Sequence, residues 1–291
     1  MLETRELTIR FGGHVAVDRV SCEFAPGTLT AIVGPNGAGK TTYFNLISGQ
    51  LKASAGSVWL DGIDITAETV SARTHRGLGR AFQLTQLFPN LSVLENIRLA
   101  VQSRRHEGLS LFSVWLDRRE TLARARELVE RVRLGDRADA TASSLPHGDQ
   151  RKLEVAMLIA LEPSVYMFDE PTAGMSVDDV PVILDLIRSL KAEADKTILL
   201  VEHKMDVVSE LADRIIVLHN GQLVADGDPA EVIASPIVQQ AYLGLAPEAS
   251  LSADSGQEPG IGLQADMGRP SIPAFPLEGE GGRRRGSEER A

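Results

Sequence analysis

The stretch GPNGAGKTT, residues 34–42, decides the fold class because it meets the pattern G-x-x-x-x-G-K-[ST]. It follows the apolar run LTAIV at residues 29–33, which is typical of a buried strand. It leads into TTYFNLISGQL at residues 41–51, whose apolar residues recur at helical intervals. In a strand, glycine loop and helix that follow one another in this way, the backbone N–H groups of the loop and the N-terminus of the helix can bind an anion such as phosphate. The sequence therefore predicts that the chain binds a nucleoside triphosphate.

Two side chains of this loop have specific expected roles. Lys40 is expected to reach the β and γ phosphates, and the Thr41 hydroxyl is expected to bind Mg²⁺. The predicted nucleotide-binding residues of the loop are Gly34, Pro35, Asn36, Gly37, Ala38, Gly39, Lys40, Thr41 and Thr42.

Acidic residues close a second predicted strand in SVYMFDEPTAG, residues 164–174. Asp169 at the end of this strand is expected to hold the Mg²⁺ shell, and Glu170 is expected to polarise the attacking water. A third strand, in KTILLVEHKMD, ends in His203, which is expected to reach the γ-phosphate from the same sheet. These three residues predict nucleotide hydrolysis rather than binding alone.

Two glutamines in GLGRAFQLTQ, Gln83 and Gln86, are both candidates for a polar contact to Mg²⁺ and water. Further along, the stretch SSLPHGDQRKLEVAMLIAL is predicted to be a loop followed by a helix, directly before the acidic strand.

Composition limits the class of protein. The chain has 291 residues, is 43% hydrophobic and carries a net charge of -10, which argues against charge-driven nucleic-acid binding. Its single cysteine, Cys22, excludes an internal disulfide framework and fits a reducing compartment. No apolar run approaches the roughly 18–20 residues that span a bilayer. We therefore expect a soluble protein that could bind a membrane partner.

In combination, these motifs resemble the nucleotide-binding subunit of an ATP-binding-cassette (ABC) transporter, over roughly residues 3–244. The resemblance places the family's Q-loop glutamine at Gln83, so that the catalytic residues would be Glu170, His203 and Gln83 and the Mg²⁺ ligands Thr41, Gln83 and Asp169. It also places Phe11 where an aromatic side chain stacks on adenine; the alternative is that Phe11 is a core residue of the first strand.

The family's signature loop corresponds to LPHGDQ, with the residues Leu145, Pro146, His147, Gly148, Asp149 and Gln150. In the family this loop completes the ATP site of the opposite subunit. The chain departs from the family pattern in both loops: the signature serine is Pro146, the final signature glutamine is Asp149, and the aspartate of the D-loop is Ser176. The departures leave Lys40 and Thr41 untouched and concern the contacts to the opposite subunit.

The resemblance implies an α/β fold: a P-loop NTPase core with a parallel sheet, an antiparallel β subdomain and an inserted helical subdomain. The cassette is expected over residues 1–245, with the helical subdomain at about 88–160. Residues 246–291 lack apolar periodicity and contain 18 Gly, Pro or Ser among 46 residues, which predicts a disordered C-terminal tail.

The resemblance also implies partners and cofactors: ATP and Mg²⁺, a second cassette as homodimer or heterodimer, two membrane permeases and, indirectly, a periplasmic binding protein. It places the chain at the cytoplasmic face of the inner membrane as a peripheral subunit, with no nucleic acid involved. RFGGHVAVDRVS, GLGRAFQ and LFPNLSVLENI look most like the importers of branched-chain amino acids. Importers of urea or short-chain amides, and the ATPase of a lipid or lipopolysaccharide exporter, remain the alternatives.

Overall fold

A computed structural model describes residues 1–81, 87–104, 114–236 and 238–239, and the backbone alone for residues 114–118. Among these residues, no helix has the length and apolar character that crossing a membrane requires. The described strands are β1 (Leu2–Phe11), β2 (His14–Phe24), β3 (Leu29–Val33), β4 (Ala55–Leu60), β5 (Ile63–Asp64), β6 (Leu78–Arg80), β7 (Val165–Asp169), β8 (Thr197–Val201), β9 (Arg214–His219) and β10 (Gln222–Gly227). The described α-helices are α1 (Lys40–Ser48), α2 (Val70–His75), α3 (Val93–Arg104), α4 (Val114–Arg131), α5 (His147–Ala160), α6 (Val180–Lys191), α7 (Met205–Leu211) and α8 (Pro229–Ala234).

The strands form two sheets. One has the order β2-β1-β4-β5 and is antiparallel throughout. The other has the order β10-β9-β3-β8-β7-β6, and only its edge pair β10–β9 is antiparallel. The expected mixture of a parallel core sheet and an antiparallel β sheet is therefore confirmed.

The central strands are buried on both faces, which explains their continuous apolar sequences. In β7, Val165 and Met167 pack into the cluster beneath the antiparallel sheet, together with Tyr43 and Phe44 of α1. The alternate residues Tyr166 and Phe168 pack into a second cluster on the other face, with residues of α3 to α6. The two-residue period of a strand thus divides the core into two layers.

Three helices, α3, α4 and α5, fall within the predicted helical segment at about 88–160. Their apolar residues recur at intervals of three and four. The buried residues of α4 include Ala125, Leu128 and Val129, and Val132, directly after the helix, is buried too. Two 3₁₀ turns, Gly135–Arg137 and Ala142–Ser144, lead from α4 into α5. This chain path brings the predicted signature loop to the N-terminus of α5.

Candidate nucleotide-binding site

The loop at residues 34–42 connects β3, at the centre of the parallel sheet, to α1. Gly39 caps α1 with φ +100°, and a Cβ built there would lie 2.5 Å from the backbone oxygen of Ala16. Only glycine avoids both the left-handed strain and this clash. The loop is further fixed by two backbone bonds, Ala38 N–H to Pro35 O at 3.1 Å and Gly221 N–H to Ala38 O at 3.0 Å. The loop is therefore held in place by contacts with β2 of the antiparallel sheet and with the turn between β9 and β10.

Lys40 is folded back over its own loop. Its ammonium donates to Gly34 O at 2.6 Å and to Pro35 O at 3.0 Å. Burial lowers the pKa of Lys40, whereas the charges of Glu170 and Asp169 act in the opposite direction. Both carboxylates therefore lie near the ammonium group.

A cavity of about 350 Å³ opens over this loop. Ten of the predicted site residues meet there, from four separate parts of the sequence. Its lining comprises Phe11, His14, Ala16, Asn36, Gly37, Ala38, Gly39, Lys40, Thr41, Thr42, Glu170 and His203. Gly34 and Pro35 do not line the cavity; their carbonyl oxygens accept hydrogen bonds from the ammonium of Lys40.

Phe11 lies at the end of β1 and is 50% exposed, beside the loop. The interpretation of Phe11 as a core residue is wrong, because the β1–β2 turn carries its ring beyond the sheet cluster. An exposed aromatic face at a phosphate-binding cavity has the chemistry to stack on a nucleotide base.

Glu170 and His203 form the most direct polar contact of the cavity. His203 Nε2 and Glu170 Oε1 lie 2.6 Å apart, with the imidazole donating to the carboxylate. Glu170 has φ +52°, directly after β7, and its N–H donates to Val201 O at 2.9 Å. A non-glycine residue in this backbone region is strained, and such strain clusters at functional sites.

Glu202 is a residue that the sequence analysis missed. It connects the loop that contains Glu170 to the backbone of His203. Its buried carboxylate accepts from Thr172 Oγ1 at 2.6 Å, from Thr172 N at 3.3 Å and from His203 N at 3.1 Å. It thereby ties the loop after β7 to the end of β8. The sequence signal that could have identified it is a carboxylate directly after four apolar strand residues, Ile198 to Val201.

Arg80 is the second residue that the sequence analysis missed. Its side chain is fully buried, and Nη2 donates to Asp169 Oδ2 at 2.7 Å. Nη1 donates to three oxygens at the C-terminal end of α1, those of Asn45, Ser48 and Gln50. Arg80 therefore links the predicted Mg²⁺ ligand to the helix that carries the phosphate-binding loop.

The donor types at the cavity fit a magnesium ion. Thr41 lines the cavity, and Asp169 directly precedes Glu170, which lines it too. Hydroxyl and carboxylate oxygens are the ligands that Mg²⁺ prefers. The third predicted ligand, Gln83, lies outside the described residues.

The predicted signature loop lines a separate recess of about 530 Å³. Pro146, His147, Gly148 and Asp149 face it from the first turn of α5, and Ser176 faces it from the segment after β7. The other two predicted residues do not line it: Leu145 is buried in the core, and the Gln150 amide donates back to Leu145 O at 2.9 Å. Of the described residues, none lines both this recess and the nucleotide cavity.

Comparison with known proteins agrees with this geometry. The family model for the ABC transporter matches residues 17–173, and the model for the branched-chain amino acid ATP-binding cassette transporter matches residues 222–246. The chain is 37% identical to the high-affinity branched-chain amino acid transport ATP-binding protein LivG of Escherichia coli (strain K12), over 84% of this chain and 98% of LivG.

Solved structures give the same assignment. An ATP-binding cassette of an ABC transporter in its ADP conformation superposes with a TM-score of 0.70 at 30% identity, covering 84% of this chain and 99% of that one. A dimeric cassette in a post-hydrolysis state, bound to ADP and Pi, has a TM-score of 0.68 at 26% identity, covering 79% and 99%. The chain belongs to the ABC transporter family, and within that family it is an ATP-binding cassette.

Proposed function

We propose that this chain is the ATP-hydrolysing subunit that powers an importer of branched-chain amino acids. The observation that carries the hydrolytic part is the 2.6 Å contact between His203 and Glu170 at the cavity over the phosphate-binding loop. The substrate class is supported by the branched-chain amino acid model at residues 222–246 and by the 37% identity to LivG.

In the proposed mechanism, ATP binds with its adenine against Phe11 and its phosphates against the N–H groups of residues 36–42. Lys40 exchanges its carbonyl contacts for the β and γ phosphates. Thr41, Asp169 and Gln83 would hold Mg²⁺, which neutralises phosphate charge when it is bound.

Glu170 acts as the general base in this mechanism, because its carboxylate can accept a proton from the attacking water. His203 orients Glu170 through the Nε2 contact and reaches toward the γ-phosphate. Glu202 keeps the two residues at a fixed separation by binding Thr172 on one side and the His203 backbone on the other.

Two copies, or this chain and a sister subunit, would face each other so that the signature loop of one completes the ATP site of the other. A dimeric solved relative supports this arrangement. The proposed assembly docks on two permeases at the cytoplasmic face of the inner membrane and serves a periplasmic binding protein.

The experiment is an uptake assay in the native host. Deleting the gene should abolish uptake of radiolabelled leucine and valine, and the parent gene should restore it. A Glu170→Gln variant should not restore it, because the amide keeps the shape of the side chain but loses the base. Urea and acetamide uptake serve as parallel arms. Intact leucine uptake in the deletion strain, or restoration by the glutamine variant, would refute the proposal.

A further inference from the structure

Two departures from the family pattern, Asp149 for glutamine and Ser176 for aspartate, lie on different elements but face one recess. Asp149 is in the first turn of α5, in the signature loop, and Ser176 is in the D-loop after β7. In sequence they are separated by the rest of α5 and by β7, so nothing in the linear pattern connects them.

Lys152 connects them in space. Its ammonium donates to Asp149 Oδ1 at 3.0 Å and forms an ion pair with Asp179 Oδ1, and its side chain is only 7% exposed. The other oxygen of Asp179 accepts from Ser176 Oγ at 2.7 Å. Asp149, Lys152, Asp179 and Ser176 therefore form one continuous polar bridge from the signature loop to the D-loop.

Further contacts restrain both ends of the bridge. Arg137, at the end of the 3₁₀ turn Gly135–Arg137, forms an ion pair with Asp149, with Nη1 2.6 Å from Oδ2. A Cβ built on Gly148 would lie 3.2 Å from Asp179 Oδ2, so the two loops are packed closely. Burial alone would lower the pKa of Lys152, but the hydrogen bonds that its ammonium donates to Asp179 and Asp149, with the charges of these carboxylates, raise it. Hydrogen bonds from Lys152 and Ser176 lower the pKa of Asp179.

The charges of the bridge balance: the carboxylates of Asp149 and Asp179 face the cations of Lys152 and Arg137. An aspartate at position 176 would add a third carboxylate next to Asp179. A glutamine at position 149 would remove the carboxylate that Lys152 and Arg137 share. Either family residue alone would change the net charge of the bridge by one unit. Both together would leave the net charge unchanged and would move one carboxylate from position 149 to position 176.

We propose that Asp149 and Ser176 are a compensating pair, and that the bridge through Lys152 fixes the signature loop relative to the D-loop of the same subunit. The four bridge residues are positioning residues. They hold two loops in the arrangement that must meet the opposite subunit during ATP-driven closure. The inference rests on the proposed function for its readout, dimer closure, but the bridge itself is a property of this chain.

The test is a double-mutant cycle in a Glu170→Gln background, which should accumulate the ATP-bound dimer. The variants are Asp149→Gln, Ser176→Asp and the two combined, and the readout is the dimer dissociation constant with Mg-ATP by analytical ultracentrifugation. Each single change should weaken the dimer by about tenfold or more, and the double variant should return to within about threefold of the parent. Additive effects of the two changes would overturn the pairing.

Three controls make the cycle specific. Asp185→Asn removes an exposed carboxylate on α6 that pairs with Arg188, and it should leave the dimer dissociation constant within about twofold. Lys152→Arg should preserve closure because it keeps the cation, whereas Lys152→Met should weaken closure. Equal closure by the arginine and methionine variants would show that the charge of Lys152 does not hold the loops.

The same cycle is followed by thermal unfolding of the monomers without nucleotide. If the Glu170→Gln parent stays monomeric in ATP, the closure step of the proposed function is wrong. The compensating pair is then tested by the melting temperatures of the monomers. Non-additive effects of the two changes would support it, and additive effects would overturn it.

Discussion

Lys40 illustrates how one side chain is held ready for an anion. Lys40 is only 6% exposed, and its ammonium donates to two carbonyl oxygens of its own loop. Burial lowers the pKa of Lys40, because it disfavours the charged form of the ammonium. A bound phosphate would offset this desolvation free energy. The contact with phosphate therefore replaces bonds that are already charge-assisted.

Lys40→Ala should weaken ATP binding by about tenfold or more, because it removes a charge-assisted contact worth roughly 1.5–3 kcal/mol. Isothermal titration calorimetry measures the affinity. Lys52→Ala, which removes an exposed lysine just beyond α1, is the matched control and should bind ATP as the parent does. An unchanged affinity in the Lys40 variant would contradict the proposed role of the loop.

Arg80→Met tests whether the buried ion pair with Asp169 stabilises the fold. Removing one partner of a buried pair costs roughly 3–5 kcal/mol, which lowers the melting temperature by about 6 °C or more in a domain of this size. Arg188→Met, in an exposed cluster with Asp185 and Glu210, should lower it by less than about 3 °C. Differential scanning calorimetry compares the two, and equal shifts would show that Arg80 contributes no more than a surface arginine.

Helix α5 begins with an N-cap that makes no side-chain hydrogen bond, because Pro146 occupies the position. Serine, threonine, asparagine and aspartate are the usual N-caps, and a cap contributes about 1 kcal/mol. Proline compensates in part by restricting the unfolded chain, which stabilises a protein by about 0.4–1 kcal/mol. The two effects nearly cancel, so stability alone does not explain the choice of residue at the signature loop.

Pro146→Ser separates the role of this residue in folding from its role in closure. The melting temperature should change by less than about 4 °C, because the cap and the lost rigidity offset each other. In a Glu170→Gln background the ATP-bound dimer should tighten by about tenfold or more, because the hydroxyl can contact the γ-phosphate of the opposite subunit. Analytical ultracentrifugation gives the dimer constant. A value within twofold of the parent would mean that the loop contacts the phosphate without this hydroxyl.

The matches to known proteins cover only part of this chain. The match to the branched-chain amino acid model ends at residue 246, and the alignment with LivG covers 84% of this chain but 98% of LivG. The residues that carry the proposed function all precede that end. We therefore propose a cassette boundary near residue 245, where the composition of the sequence changes.

Deleting residues 247–291 should leave ATPase activity nearly unchanged and lower the melting temperature by less than about 4 °C, because a segment without apolar periodicity contributes little to a core. Deletion from residue 229 onward is the contrast. It also removes α8, whose Val232 is buried in a core cluster with β9, and it should be clearly destabilising. Equal melting temperatures for the two truncated chains would contradict the proposed boundary.

The amino-acid sequence determined the fold class, the order of strand, loop and helix at residues 29–48, and the family, because each depends on residues adjacent in the chain. The Asp61-Gly62 turn between β4 and β5 depends on local turn preferences in the same way. Contacts between distant residues could not be predicted in the same way. Arg80 meets Asp169 because parallel pairing of β6 with β7 places Arg80 opposite Met167. The bridge between Asp149 and Ser176 likewise depends on how α5 packs beside the loop after β7. Strand register and helix packing set these contacts through the core, and no local sequence pattern records which polar side chains they bring together.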